Sequence, residues 1–153
     1  MKHLPSSSRR RVLEVIATAA AGAAAVHLTG CSSGASPAPV GDVSAGNIAD
    51  LPEGTLRAVG GEAVAIGRDA RGIYAMTLTC THAGCNIGSR GSVSASGLSC
   101  GCHGARFDAN GDPTGGPASD PLVHYAVEVA SDGTITIHGG TEVDPATRTA
   151  VPA

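Results

Sequence analysis

The chain has 153 residues, enough for one modest domain. Hydrophobic residues make up 42% but aromatics only 2%, so a core made from them buries little area per side chain and would gain from a staple such as a metal centre or a disulfide. The formal charge of -3, with no basic patch beyond the N-terminus, excludes the electrostatic footprint of a nucleic-acid binder.

Residues 1–30 read as an address rather than as structure. Ser8-Arg9-Arg10-Arg11-Val12-Leu13 has the twin-arginine form, and the Ala-rich stretch behind it, Val12 to Leu28, is interrupted by Glu14 and His27. That stretch is short and weakly apolar for a retained span, which needs about 20 predominantly apolar residues. Leu28-Thr29-Gly30-Cys31 resembles a bacterial lipoprotein cleavage box, so cleavage would leave Cys31 as a lipid-bearing N-terminus. The expected location is therefore the periplasmic or outer side of a bacterial membrane. Twin-arginine export carries folded proteins, which suits a chain that must receive a cofactor before crossing. The compartment beyond is oxidising enough for disulfides to persist. With Cys31 set apart, four of the five cysteines remain.

Residues 31–50 continue as SSGASPAPVGDVSAGNIAD after Cys31, rich in Ser, Gly, Ala and Pro, and predict a flexible tether. A coil of about 20 residues spans roughly 25 Å, enough for the folded part to move above its membrane. From Leu51 the pattern changes to short strands broken by glycine: Thr55–Val59, Glu62–Arg68 and Gly72–Leu78, with Asp69-Ala70-Arg71-Gly72 as a turn. Leu122–Ala130 alternates through Val123, Tyr125, Val127 and Val129. Ser131-Asp132-Gly133 then turns the chain, and Thr134–His138 alternates again, which together predict a hairpin. No segment between Leu51 and His138 has a helical period, so residues 51–138 are expected to form an all-β domain. Residues 139–153 read as a loose tail. Tyr74 and Tyr125 are expected in the core, and His124 and His138 as exposed strand residues.

Four cysteines fall in two short segments, Cys80-Thr-His-Ala-Gly-Cys85 and Cys100-Gly-Cys-His-Gly-Ala105. In an extended loop residues i and i+2 project to the same side, so Cys80 and His82 can reach one site. In a tight turn i and i+3 also converge, which serves Cys100 and His103. Gly84, Gly101 and Gly104 give the backbone freedom to wrap an inorganic core. Cys85 and Cys102 stand beside these residues without repeating their spacing. The simplest assignment for them is a disulfide between the segments, closing a loop of about 18 residues and worth about 3 kcal/mol. Two Cys and two His also satisfy a tetrahedral structural zinc, although zinc sites favour Cys-x2-4-Cys and His-x3-5-His spacings.

The double segment resembles the cluster-binding signature of the Rieske iron–sulfur proteins, and Phe107-Asp108 and Gly115-Gly116-Pro117-Ala118 are similar to that family's segment after the second loop. The resemblance covers roughly Leu51 to His138. It implies a Rieske-type antiparallel β-sandwich of short strands with two cluster-binding loops and one [2Fe–2S] cluster, with Cys80 and Cys100 on one iron and His82 and His103 on the other. By the same pattern Cys85 and Cys102 match the disulfide-forming positions of the respiratory-type members. The implied function is one-electron transfer, as carrier or subunit of a respiratory or periplasmic oxidoreductase. Its partners would be a redox protein donor and acceptor, and the membrane through the lipid on Cys31. Whether it touches quinol directly is not read from these residues. No catalytic acid–base set is visible, so the chain is not expected to be an enzyme alone. The alternative is the ferredoxin component of a Rieske-type ring-hydroxylating oxygenase system; the leader argues against it, and those ferredoxins usually lack the extra cysteine pair.

Charge explains what the imidazoles do. Two ferric ions and two sulfides carry two positive charges, which two thiolates cancel and four would over-compensate. Neutral imidazoles therefore raise the reduction potential, to about −150 to +300 mV across Rieske centres. The quinol-oxidising members typically carry Ser and Tyr where this chain has Ala105 and Phe107, and their hydroxyls stabilise the reduced state by hydrogen bonds to sulfur. Ala105 and Phe107 cannot donate. Voltammetry should therefore place the midpoint below that of the quinol-oxidising type; a value at the family's upper limit would refute the inference.

Overall fold

The computed structural model describes residues 41–152. The predicted leader, Cys31 and the tether as far as Val40 lie outside them. The described chain runs through β1 (Asp42–Asn47), a 3-10 turn (Ile48–Asp50), β2 (Thr55–Ala58), β3 (Val64–Asp69) and β4 (Gly72–Thr77). It continues through α1 (Ile87–Arg90), β5 (Gly91–Ser94), β6 (Gly97–Cys100), β7 (Arg106–Phe107), β8 (Pro113–Gly115), β9 (His124–Val129) and β10 (Thr134–Val143). Every strand pairing is antiparallel. A six-stranded sheet has the order β1-β10-β9-β4-β3-β2, and a four-stranded sheet the order β5-β6-β7-β8.

Both predicted turns form for readable reasons. Between β3 and β4 the Asp69 carboxylate accepts the amides of Arg71 at 2.8 Å and Gly72 at 3.1 Å. Between β9 and β10 the Asp132 carboxylate accepts the Thr134 amide at 2.9 Å, and Gly133 takes the left-handed φ of 83°.

β4 is buried on both faces, and this organises the molecule. Ile73 and Ala75 point into a cluster with Val43, Val64, Ile66, Tyr125, Ile135 and Ile137, inside the curl of the large sheet. Tyr74, Met76 and Leu78 point the other way, into a second cluster with Leu98 and Phe107 of the small sheet. The large sheet curls until its edges meet, where the Arg57 guanidinium of β2 donates to the Ala45 carbonyl of β1 at 2.9 Å. Gly67 lies opposite Tyr74 in the β3–β4 register, and a Cβ there would collide with the tyrosine ring. The antiparallel sandwich matches the fold class implied by the cysteine–histidine loops, and Tyr74 and Tyr125 are core residues.

Four expectations are corrected. Residues 42–50 are not tether: β1 pairs with β10, with Val43 opposite Ile137, and its alternation buries Val43 and Ala45. Small residues disguise that strand. The segment from 139 onward is not a loose tail either. β10 runs on to Val143, and Thr149 pairs with Ile73 through backbone bonds of 2.8 and 2.9 Å. Arg148, with its side chain only 5% exposed, stacks 4.1 Å over the Tyr74 ring and donates to Asp69 at 2.8 Å and to Asn110 at 2.6 Å. The chain between Leu51 and His138 does contain a helix, the single turn α1, capped by the Asn86 side chain accepting from the Ser89 amide at 3.2 Å. One turn is too short to show a period.

The fourth correction is His124, which is 1% exposed rather than solvated. Its ring stacks on Tyr74 at 6.0 Å, and its Nε2 lies 2.8 Å from the Asn110 carbonyl, so Nε2 carries the proton. Nδ1 is buried without a partner. Burial pushes the pKa of His124 below its ordinary 6.5, against a smaller opposing effect of the Asn110 carbonyl; Arg148, Asp112 and Asp144 are the charged groups nearby. His138, half-exposed, runs the other way: Asp42 and then Glu128, each at 3.2 Å, raise it. The His124 contribution is intact above 6.5 and is lost as pH falls below that value, because the unfolded chain takes the proton first. The His138 contribution is present below 6.5 and is lost as pH rises through its raised folded value. High salt screens the exposed His138 pairs and leaves the buried effect. Denaturant unfolding in high salt should therefore show stability declining from pH 7 to pH 5, and His124→Gln should flatten that decline. An unchanged slope in the variant would assign it to other groups.

Candidate metal centre

β4 and β9 are neighbours, with Met76 opposite His124, yet 46 residues of chain, from Leu78 to Val123, lie between them. That insertion is α1 and the small sheet, and its tip holds both cysteine–histidine segments.

The two segments fold as the same turn. In the first, the Cys80 amide donates to the Cys85 carbonyl and the Gly84 amide to the Cys80 carbonyl, both at 2.8 Å. In the second, the Cys100 amide donates to the Ala105 carbonyl at 2.8 Å and the Gly104 amide to the Cys100 carbonyl at 3.0 Å. The fifth residue of each takes a left-handed φ, 71° at Gly84 and 76° at Gly104, which is why glycine stands there. The first segment is thus a turn rather than the extended loop expected. The histidine is the third residue of the first turn and the fourth of the second.

Cys85 and Cys102 form a disulfide, with Cα atoms 6.6 Å apart, and it joins the last residue of the first turn to the third of the second. A third segment covers them. The Thr81 hydroxyl donates to the Asp120 carbonyl at 2.8 Å. At Gly116, which has φ 81°, a Cβ would collide with the Gly104 carbonyl and come within 2.7 Å of the Ala105 Cα. Sequence reasoning placed this segment near the site through Gly115-Gly116-Pro117-Ala118 but missed the Thr81 contact, which spans 39 residues and leaves no local signal.

The donors fit an inorganic centre. Cys80 and Cys100 are 3% and 1% exposed, and both are free thiols. The Cys80 thiol lies within hydrogen-bonding reach of Cys100. Burial pushes the Cys80 thiol up, opposed by the amides of His82 and Ala83 aimed at its sulfur. A metal reverses that cost, since a coordinating thiol is deprotonated outright. The rings of His82 and His103 meet edge to face with centroids 4.8 Å apart. His82 is half-buried and its Nδ1 has no partner, whereas His103 is exposed. A buried ring nitrogen without a partner, edge to face with a second imidazole, and two buried free thiols on the same pair of turns are donors of the kinds that hold a metal centre. The Sγ atoms of Cys85, Cys100 and Cys102 also lie within 4.8 Å of one another, but two of them are bonded to each other, so that trio is not a thiolate site. Gly116→Ala should cost about 2 kcal/mol and lose bound metal on purification while the large sheet persists by circular dichroism. Gly60→Ala, where nothing lies within 4 Å, is the matched control; equal metal content in both variants would show that the cover segment is not needed.

Comparison with known proteins bears on what the cation is. The family model for the Rieske [2Fe-2S] domain matches residues 42–129. The cytochrome b6-f complex iron-sulfur subunit of Chlorobaculum tepidum is 29% identical over 100 residues, which is 64% of this chain and 54% of that protein. The corresponding subunit of Parasynechococcus marenigrum is 36% identical over 78 residues, 51% of this chain and 42% of that one. The chain thus spans about half or less of the length of these relatives. Among solved structures, the ferredoxin of carbazole 1,9a-dioxygenase from Nocardioides aromaticivorans IC177 is 30% identical with a TM-score of 0.45, over 65% of this chain and 98% of that one. The cyanobacterial plasma membrane Rieske protein PetC3 from Synechocystis PCC 6803 is 28% identical with a TM-score of 0.42, over 62% and 97%. The matched residues run from β1 to the end of β9 and enclose both turns, more than half of the sequence: the chain belongs to the Rieske [2Fe-2S] domain family, whose cofactor is one [2Fe–2S] cluster.

Proposed function

We propose that this chain is a one-electron carrier tethered to the outer side of a bacterial membrane, serving as carrier or subunit of a respiratory or periplasmic oxidoreductase. The observation that carries the reading is the split of donors by depth: two thiols buried under the turns, two imidazoles side by side, and one of these open to solvent. Cys80 and Cys100 would hold one iron, and His82 and His103 the other. Held by those residues, a [2Fe–2S] cluster would supply one-electron chemistry in the range of about −150 to +300 mV.

The chain's own residues shape that exchange. Burial of Cys80 and Cys100 keeps water from the thiolates, and the exposed ring of His103 offers the edge nearest a docking redox protein. Ala105 and Phe107 are buried and bring no hydroxyl to the sulfurs, which supports a potential below the family's upper range. Membrane attachment rests on the sequence: the twin-arginine leader, the cleavage box ending at Cys31 and the residues 32–41 as tether. The cytochrome b6-f complex iron-sulfur subunits among the relatives support a redox-protein partner. The Cys85–Cys102 disulfide weighs against the oxygenase-ferredoxin alternative, whose members usually lack that pair.

Electron paramagnetic resonance of the dithionite-reduced protein tests this. Mixed Cys and His ligation predicts a lower average g value than all-cysteine ligation gives. A spectrum of the all-cysteine type, or zinc in place of iron on elemental analysis, would overturn it.

A further inference from the structure

The four cysteines of the tip are not two isolated pairs. The Cys100 sulfur lies within 4.8 Å of both sulfurs of the Cys85–Cys102 disulfide, although Cys100 is itself a free thiol. Cys80, the other free thiol, is not in that trio. Cys100 is 1% exposed, so it is shielded from thiols in solution and held against a single intramolecular target. Its backbone is fixed on both sides. The Cys100 amide and carbonyl close the second turn, and the neighbouring Gly101 donates at 2.8 Å to the Arg90 carbonyl, on which a Cβ at that position would collide. The sulfur therefore cannot retreat by moving the chain.

We propose that Cys100 is an exchange nucleophile aimed at the Cys85–Cys102 disulfide, and that cluster coordination is what keeps it from reacting. In the step, the Cys100 thiolate attacks Sγ of Cys85 or Cys102. A new S–S bond forms as the Cys85–Cys102 bond breaks, and the displaced sulfur leaves as a thiolate that takes up the proton Cys100 gave away. No electron is gained or lost, so no oxidant is needed. A Cys85–Cys100 product still ties the two turns together, but it consumes a proposed iron ligand and leaves Cys102 free. The pairing seen in the structure is then secure only in a chain loaded before its disulfide forms. This gives loading before export a chemical reason of its own: an empty chain oxidised outside would exchange between the native bond and one that occupies Cys100. The consequence rests on the reading of Cys100 as a cluster ligand; the exchange chemistry needs only the sulfur positions.

The experiment uses the full chain with Cys31→Ser, which leaves four cysteines. Loaded protein, its iron measured beforehand, is compared with protein emptied anaerobically by an iron chelator without added thiol. Both are incubated at mildly alkaline pH, quenched with an alkylating agent in denaturant, and digested with trypsin. Cys100 and Cys102 share the fragment Gly91–Arg106, so fragment-ion sequencing decides which of them carries the alkyl group. The proposal predicts at least about tenfold more Cys100 in disulfide linkage in the emptied protein than in the loaded one, with one disulfide per chain in both. Cys80→Ser should exchange as the emptied chain does. Emptied protein that keeps only Cys85–Cys102 overturns the proposal, and so does random pairing with Cys80 taking part equally, which marks an unfolded chain. Protein that never binds iron defeats the functional reading instead, and leaves the exchange result to be judged separately.

Discussion

Two turns of six residues, each closed by its own pair of backbone hydrogen bonds, become one site because a disulfide joins them off-register. The cross-link runs from the last residue of the first turn to the third of the second, so the turns are related by more than a repeat. The histidine is the third residue of the first turn and the fourth of the second, and the two rings meet edge to face. Neither turn could hold its ligands alone. Each is short, carries a glycine in a left-handed conformation and exposes most of its outer surface. The rigidity needed at an electron-transfer centre comes from tying weak local structures together, first to each other and then to the cover segment through Thr81 and Gly116.

That tip is mounted on β4. Because β4 is buried on both faces, its side chains belong alternately to the large sheet's interior and to the contact with the small sheet. The insertion between β4 and β9 is held at its base by a polar cluster: Arg148 reaches Asp69 and Asn110, the Tyr74 hydroxyl donates to the Ala109 carbonyl at 2.9 Å, and His124 bonds the Asn110 carbonyl. All three grips converge on the turn after Phe107, itself part of the packing around Cys80 and Cys100. A buried guanidinium is costly unless its donors are satisfied, and here they are, which makes the C-terminal segment a strap across the junction.

Much of this was legible in the residues. The hairpins were, because alternation and Asp- and Gly-bearing turns are local signals, and so was the Cys85–Cys102 cross-link, because the two cysteines stand beside the matched segments without repeating their spacing. The strand at Asp42–Asn47 was not, since its inward residues are only Val43 and Ala45, set among residues that read as linker. The strap was hidden because its partners, Asp69, Tyr74 and Asn110, lie far away in the chain. The burial of His124 is not legible because strand alternation implies one wet face, and the start of β9 is covered on both. The nearness of Cys100 to the disulfide is also invisible in the sequence, which gives spacing but not which sulfurs share a corner.

The uneven donor shell is the claim on which the function stands, and nitrogen couplings measure it most directly. Pulsed electron paramagnetic resonance of the reduced protein should resolve two strongly coupled imidazole nitrogens, with one lost when either His82 or His103 is replaced by cysteine. Two couplings that survive both replacements, or none in the unaltered chain, would contradict the account.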